Sequence, residues 1–138
     1  MTQFSDLWRE KVGQALDAAV EGASELGALE YVERLLTALD AEPPKIWCAP
    51  ASSGADWLEL GPWEKHAWKL RIEQWREGYD RVVAGNATKA DLAMVHEHAC
   101  EGAYGDPAYG GNQGGQGWKR IKFPDPDYPP SRIETDRR

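Results

Sequence analysis

The chain has 138 residues, of which 41% are hydrophobic and 28% are charged, and this composition is typical of one soluble globular domain. Its formal net charge of −7 argues against binding to nucleic acid or to an anionic membrane surface, since either needs a basic face. No run approaches the roughly 18 to 20 apolar residues that a membrane span requires. The start, Met1 to Asp6, has neither a basic and apolar leader nor a twin-arginine pair. We therefore expect a cytoplasmic protein whose two cysteines, Cys48 and Cys100, are reduced.

The first third of the chain predicts two amphipathic helices. Over residues 6–22, apolar side chains recur at helical spacing at Trp8, Val12, Ala15, Leu16, Ala19 and Val20. Ser5 is the predicted N-cap of this helix. Over residues 27–40, a second apolar stripe is formed by Leu29, Val32, Leu35, Leu36 and Leu39. The pair Pro43-Pro44 predicts the end of this second helix, because proline cannot continue it.

A loop and a third helix follow. Residues 43–61 show no sustained period and contain Pro, Ser and Gly, so they predict a loop with a short extended piece at Ile46-Trp47. Pro62 then suits the first turn of a helix. Its predicted buried stripe is Trp68, Ile72, Trp75, Tyr79 and either Val82 or Val83. Gly85-Asn86 predicts its end.

A fourth helix and a glycine-rich arm complete the chain. Thr88 followed by Asp91 predicts a capping box at the start of the helix. Its predicted face is Leu92, Val95, Ala99 and Ala103, and it ends near Gly102 or Gly105. The glycine content beyond Gly105 predicts non-helical backbone. The aromatic residues between the glycines predict that this segment is an ordered extended loop, held in place by their packing. The predicted fold is therefore all-α, with about four amphipathic helices in residues 1–104 and an irregular C-terminal arm in residues 105–138 of the same single domain.

The sequence predicts no catalytic residue, no metal site and no cofactor in this chain. His96, His98 and Cys100 form an H-x-H-x-C string, but on a helix only His96 and Cys100 share a face, and no nearby cluster completes a tetrahedral set. The chain has no nucleophile elbow. Its glycine-rich segment follows a helix and matches neither the P-loop nor the dinucleotide fingerprint.

Seven tryptophans against two phenylalanines are unusual for this length. Trp8, Trp68 and Trp75 are in phase with helix stripes and are predicted to lie in the core. The tryptophans left as candidate exposed anchors are Trp47, Trp57, Trp63 and Trp118. Tryptophan serves protein interfaces and sugar platforms alike, so a free-standing carbohydrate-binding module is one alternative function. An independent enzyme is another.

The tail carries a more specific pattern. The string Gly105-Asp106-Pro107-Ala108-Tyr109-Gly110-Gly111-Asn112, then Gly117-Trp118-Lys119, then Phe123-Pro124, follows the pair Glu101-Gly102. This arrangement resembles the C-terminal signature of the gluconate 2-dehydrogenase subunit 3 family, in which a helix with a Glu-Gly pair leads into D-P-x-Y-G-G-N, G-W-K and F-P. Residues 27–36 look like the second helix of that family, and Pro62 with Trp68 looks like its third. The resemblance covers most of residues 20–125.

The resemblance implies a non-catalytic small subunit. It implies a partner that is a large flavoprotein of the glucose-methanol-choline (GMC) oxidoreductase family, which holds FAD and oxidises a sugar or alcohol, with a cytochrome as a possible electron acceptor in the complex. It implies a periplasmic location only if the chain is exported together with its partner. The residues that we expect to bind the partner, or to hold the arm in the shape that docks, are Asp106, Pro107, Tyr109, Gly110, Gly111, Asn112, Trp118 and Lys119. The alternative is that the arm packs on this chain's own helices, because aromatic anchors serve cores and interfaces alike.

Overall fold

The structure is a computed structural model that describes residues 4–40, 55–105 and 111–120. Within these ranges it is all-α, as the sequence predicts, and it contains no strand. The helices are α1 (Asp6–Ala19), α2 (Ala28–Leu36), α3 (Ala55–Glu59), α4 (Pro62–Ala84), α5 (Lys89–Tyr104) and α6 (Gln116–Arg120). Two 3-10 turns, Ala38–Asp40 and Gln113–Gly115, follow α2 and precede α6.

The predicted starts of α1 and α5 are confirmed by their caps. The Ser5 hydroxyl accepts a hydrogen bond from the Trp8 backbone N–H at 3.1 Å. At the start of α5, Thr88 and Asp91 form the reciprocal capping box, with bonds of 3.1 Å and 2.9 Å. Arg81 also donates to Asp91 at 2.7 Å, and this bond, with those from Thr88, holds the pKa of the Asp91 carboxyl well below its usual range. The Arg81–Asp91 contact ties the last turn of α4 to the first turn of α5.

The core lies between α1, α2, α4 and α5. Its largest fully buried hydrophobic side chains are Tyr79, Leu16, Leu36, Val12, Val32 and Val95. Small residues complete α5, where Ala99 and Ala103 are fully buried. A smaller cluster joins Leu35 and Ala38 to Ile72 of α4. Most residues of the helical stripes read from the sequence therefore pack into these two clusters, as their spacing indicated.

Several boundaries and faces differ from the sequence prediction. Residues 55–59 were expected in a loop and form α3, while the predicted extended piece at Ile46-Trp47 lies outside the described residues. The second helix ends at Leu36 rather than near residue 40, and continues only as the 3-10 turn. Leu92 was predicted to face the core, but its side chain is 55% exposed. On the same helix, α5, the polar residues Asp91 and His98 are buried instead.

Among the described helices, none combines the length and the apolar character that crossing a membrane would require. The longest of them, α4, has 23 residues, and its buried side chains begin only at Ile72. The first ten residues of α4 thus contribute half-buried or exposed side chains.

Candidate functional site

The described part of the arm, residues 111–120, packs against the C-terminal end of α5. The last carbonyl groups of any α-helix have no partner within the helix, so they must bond to something else when they are covered. Here the arm supplies the donors. The Asn112 backbone N–H donates to the Gly102 carbonyl, and the indole Nε1–H of Trp118 donates to the Tyr104 carbonyl at 2.6 Å. The arm therefore acts as a C-terminal cap for α5.

Asn112 is the central residue of this cap. Its side chain is fully buried, and its amide Nδ2 donates to the Gly105 carbonyl at 2.7 Å. Its amide Oδ1 accepts from the Gly117 backbone N–H at 2.6 Å. Asn112 has a φ of 45°, in the left-handed region that asparagine tolerates better than most residues. One side chain thus satisfies backbone groups on both sides of the turn.

Three glycines of the tail signature, Gly102, Gly111 and Gly117, lie where the backbones touch. A Cβ atom on Gly111 would overlap the Gly102 carbonyl, and one on Gly117 would overlap the Ala103 carbonyl. Gly102 itself faces α2, where a Cβ atom would lie 2.7 Å from the Cα of Ala28. At these three positions glycine is required because the chain passes too close for any side chain.

The neighbouring Glu101 ties the same end of α5 to α2. Its Oε1 accepts a hydrogen bond of 2.6 Å from the Tyr31 hydroxyl. On the other side of the arm, the Arg120 guanidinium donates to the Glu21 carbonyl in the turn after α1. The end of α5, the arm, the start of α2 and the end of α1 therefore meet in one region of the molecule.

The structure places four of the eight predicted partner-binding residues. Gly111 and Asn112 are buried against this chain's own α5, so in the free chain they hold the arm in shape and present no surface to a partner. Trp118 is half-buried and Lys119 is exposed. The other four, Asp106, Pro107, Tyr109 and Gly110, lie outside the described residues. Sequence reasoning passed over Gly117 as a site residue, although its place before Trp118 in the signature was a usable signal.

The expectation that the whole arm is non-helical is wrong for residues 113–120. They form a 3-10 turn and the five-residue α6. Gly114 and Gly115, within the 3-10 turn, have left-handed φ angles of 64° and 70° and lead the backbone into α6. Glycine lowers intrinsic helix propensity, but here tertiary contacts with α5 offset that cost.

His98, the middle residue of the H-x-H-x-C string on α5, is part of the core. His98 is 3% exposed, and its Nδ1 lies 2.8 Å from the Tyr79 hydroxyl oxygen. The Trp75 ring meets the His98 ring edge-on, with centroids 4.9 Å apart. Burial lowers the pKa of His98 to about 4 and, with the charge of Glu101, raises the pKa of Tyr79. His98 is therefore a neutral core residue.

No group of three metal-ligating side chains occurs in the described part of the chain. His96 is exposed on α5. Cys100 is half-buried there and forms no disulfide with a described residue, while Cys48 lies outside the described ranges. The described residues therefore bring no ligand set to His96 and Cys100.

The four tryptophans left as candidate anchors have different environments. Trp57 is 7% exposed, with the Lys65 ammonium 5.7 Å from its ring centroid, so its assignment as a free anchor is wrong. Trp63 is 84% exposed on α4. Trp118 is tied to α5, and Trp47 lies outside the described residues. A sugar platform would need neighbouring open rings, and among these described tryptophans only Trp63 is open.

Comparisons with protein-family models, with curated proteins and with solved structures found no match to this chain.

Proposed function

We propose that this chain is a non-catalytic accessory subunit, similar to gluconate 2-dehydrogenase subunit 3, that binds and stabilises an FAD-dependent sugar or alcohol dehydrogenase of the GMC family. The observation that carries the proposal is the tail string from Glu101-Gly102 through Gly105 to Asn112 and Gly117-Trp118-Lys119. The proposal thus rests on the resemblance of this string to the family's signature.

The packing of the arm explains why the tail string contains these glycines and this asparagine. Gly102, Gly111 and Gly117 lie at contacts that admit no side chain, and Asn112 bonds on both sides of the turn. A flexible glycine linker would need none of these identities. In the proposal, these residues build a fixed arm, and the exposed Lys119 next to the half-buried Trp118 contacts the flavoprotein.

The proposed mechanism is thermodynamic. A subunit that binds only the folded flavoprotein stabilises it by mass action, by about 2.7 kcal/mol when its free concentration is 100 times the dissociation constant. FAD and the oxidation of the substrate belong to the large subunit, and this chain contributes binding energy alone. We place the complex in the cytoplasm, unless the chain is exported with its partner.

Co-expression tests this proposal. The neighbouring reading frames are first searched for a GMC-type flavoprotein. That flavoprotein is then produced with and without this chain, and we expect a yellow complex from which both chains elute together. The isolated chain is expected to bind no flavin and to oxidise no sugar. A purified single chain that carries stoichiometric FAD would sink the proposal, as would a flavoprotein equally soluble and stable without it.

A charge reversal in the arm locates the interface. Lys119→Glu places a negative charge at the proposed contact, and we expect about tenfold weaker binding, equal to about 1.4 kcal/mol. Lys89→Glu, at the opposite end of α5, is the matched control, because Lys89 is also exposed. Equal affinities of the two variants, measured by titration of the purified flavoprotein, would remove the arm from the interface.

A further inference from the structure

The first half of α4 has an apolar row of side chains on the side opposite the core. Trp63 is 84% exposed and Leu70 is 46% exposed, and Ala67 between them is also exposed. Spacings of four and three residues place these side chains on one side of the helix. The buried Ile72 lies nine residues after Trp63, which at about 100° per residue is half a turn away. The outer face of α4 is defined as this row and the exposed Gln74 that continues it.

The described helices leave the outer face of α4 open. The Lys65 ammonium lies 5.7 Å from the ring centroid of Trp57, so α3 contacts the side of α4 that is about 160° around from Trp63. The Trp75 ring meets His98, so α5 contacts the second half of α4, about 120° around from Trp63. Adjoining exposed apolar side chains mark interaction surfaces more often than scattered ones do.

One edge of the outer face carries two opposite charges. Glu64 and Arg71 lie about 100° and 80° around the helix from Trp63, in the same direction. In a coiled coil, side chains at such positions flank the apolar seam and form ion pairs between the two helices. Both side chains are exposed, and neither forms an ion pair with another described residue. Their charges are therefore available to a partner helix.

An antiparallel copy of α4 fits the shape of the outer face. When two identical antiparallel helices meet about a twofold axis, each contact occurs twice. If Ala67 lies opposite Leu70 of the second copy, a small side chain meets a larger one in both halves of the interface. In the same register, Trp63 lies opposite Gln74 of the second copy. The paired segment is then residues 63–74, about 18 Å of helix in each copy.

The charges at the edges fit the same arrangement. Twofold symmetry brings equal edges together, so Glu64 of one copy lies beside Arg71 of the other, offset by about 3 Å along the helix axis. On the other edge, His66 lies beside Glu73 of the second copy in the same way, and both are exposed. A parallel pair would bring opposite edges together, and Arg71 would then meet His66 instead of Glu64. The sequence order of the charges therefore favours the antiparallel pair.

We propose that two copies of this chain associate through the outer faces of their α4 helices, antiparallel about a twofold axis. Stable interfaces bury about 800 Å² on each side, and a single short helix face is smaller than that. The dimer is therefore weak and reversible, with a dissociation constant on the order of 100 µM. The inference is independent of the accessory role proposed above.

Sedimentation equilibrium of the purified full chain, between about 10 µM and about 1 mM, tests the proposal. Trp63→Ser removes the largest exposed side chain of the outer face, and we expect dimerisation to weaken about tenfold or more. Leu92→Ser is the matched control, because Leu92 is 55% exposed on α5, away from the outer face, and we expect the wild-type dissociation constant. Circular dichroism verifies that both variants keep their helicity.

A charge exchange tests the antiparallel register. Glu64→Arg and Arg71→Glu each place like charges side by side, and we expect each variant to weaken dimerisation by about fivefold. The double variant restores opposite charges, so its dissociation constant is expected within about twofold of the wild type. Glu64→Arg makes the net charge less negative and Arg71→Glu makes it more negative, so general repulsion between copies would move the two dissociation constants in opposite directions.

Three results would overturn the proposal. The first is a wild-type chain that stays monomeric up to about 1 mM, including the case in which Trp63→Ser weakens only binding to the flavoprotein, which would assign the outer face to that partner. The second is a dissociation constant that Trp63→Ser leaves unchanged. The third is a double variant that dimerises no better than Glu64→Arg or Arg71→Glu alone.

Discussion

Replacing Asn112 by alanine is the most direct test of the arm as a cap for α5. The change removes the bonds to the Gly105 carbonyl and from the Gly117 N–H. The Gly117 N–H is buried, and a buried donor without a partner costs about 1–3 kcal/mol. The loss of the partly buried bond to Gly105 adds about 1 kcal/mol. Alanine at a φ of 45° adds roughly another 1 kcal/mol.

We therefore expect Asn112→Ala to lower the free energy of unfolding by about 3 kcal/mol, allowing for partial relaxation of the turn. Asn112→Gly loses the same bonds but relieves the backbone, so it is expected to recover about 1 kcal/mol of that loss. Asn86→Ala is the control, because Asn86 is exposed in the connection between α4 and α5, and we expect a change within about 0.5 kcal/mol. Urea denaturation, followed by circular dichroism, measures all three.

Surface substitutions usually change the free energy of unfolding by less than about 0.5 kcal/mol. A change as small as this for Asn112→Ala would refute the reasoning. It would mean that the Gly117 N–H is solvated and that the arm unfolds separately from the helices. The arm would then be free to rearrange on a partner.

Two further predictions concern the core around α5. Burial lowers the pKa of His98 in the folded chain to about 4, against an ordinary value of 6.5. As the pH falls, the unfolded chain therefore takes up the proton before the folded chain does. We expect the free energy of unfolding to decrease by roughly 3 kcal/mol between pH 6.5 and pH 4. His98→Gln should flatten that part of the curve of unfolding free energy against pH, whereas His96→Gln, at an exposed position, should leave it unchanged; equal slopes for the two variants would contradict the burial of His98. Gly102→Ala is expected to lower the free energy of unfolding by about 1–3 kcal/mol in denaturant, because the new methyl group would overlap Ala28 at the start of α2. Gly61→Ala is the control, because its added Cβ atom would come no closer than 3.7 Å to Glu64. If Gly61→Ala lowered the free energy of unfolding as much as Gly102→Ala, the loss would not come from the contact with Ala28.

The helices and their caps were predictable from the sequence because their determinants are local. Ser5 and the Thr88/Asp91 pair bond to backbone groups within three residues, so the pattern alone indicates the cap. Gly85 ends α4 in a left-handed conformation, with a φ of 81°, as the Gly85-Asn86 pair indicated. Fold class follows from these local signals.

The side chains that face the core on α5 were only partly predictable. Periodicity placed Leu92 inside, because it assigns burial by hydrophobicity, and it passed over Asp91 and His98. Asp91 is buried because Arg81, ten residues earlier in the chain, bonds to it, and His98 because Tyr79 does. A polar residue can be buried only where a partner satisfies it, and that partner is on another helix.

The sequence by itself determined the four long helices, their caps and the presence of a glycine-rich arm with aromatic residues. Only the tertiary structure decided what residues 111–120 of the arm do within the chain. Asn112 and Trp118 bond to carbonyl groups at the end of α5 that lie between seven and 14 residues away, and Gly111 and Gly117 are required by backbones that meet there. Such contacts leave no periodic trace, because they depend on the distance between two backbones in space and not on the spacing of residues along one of them.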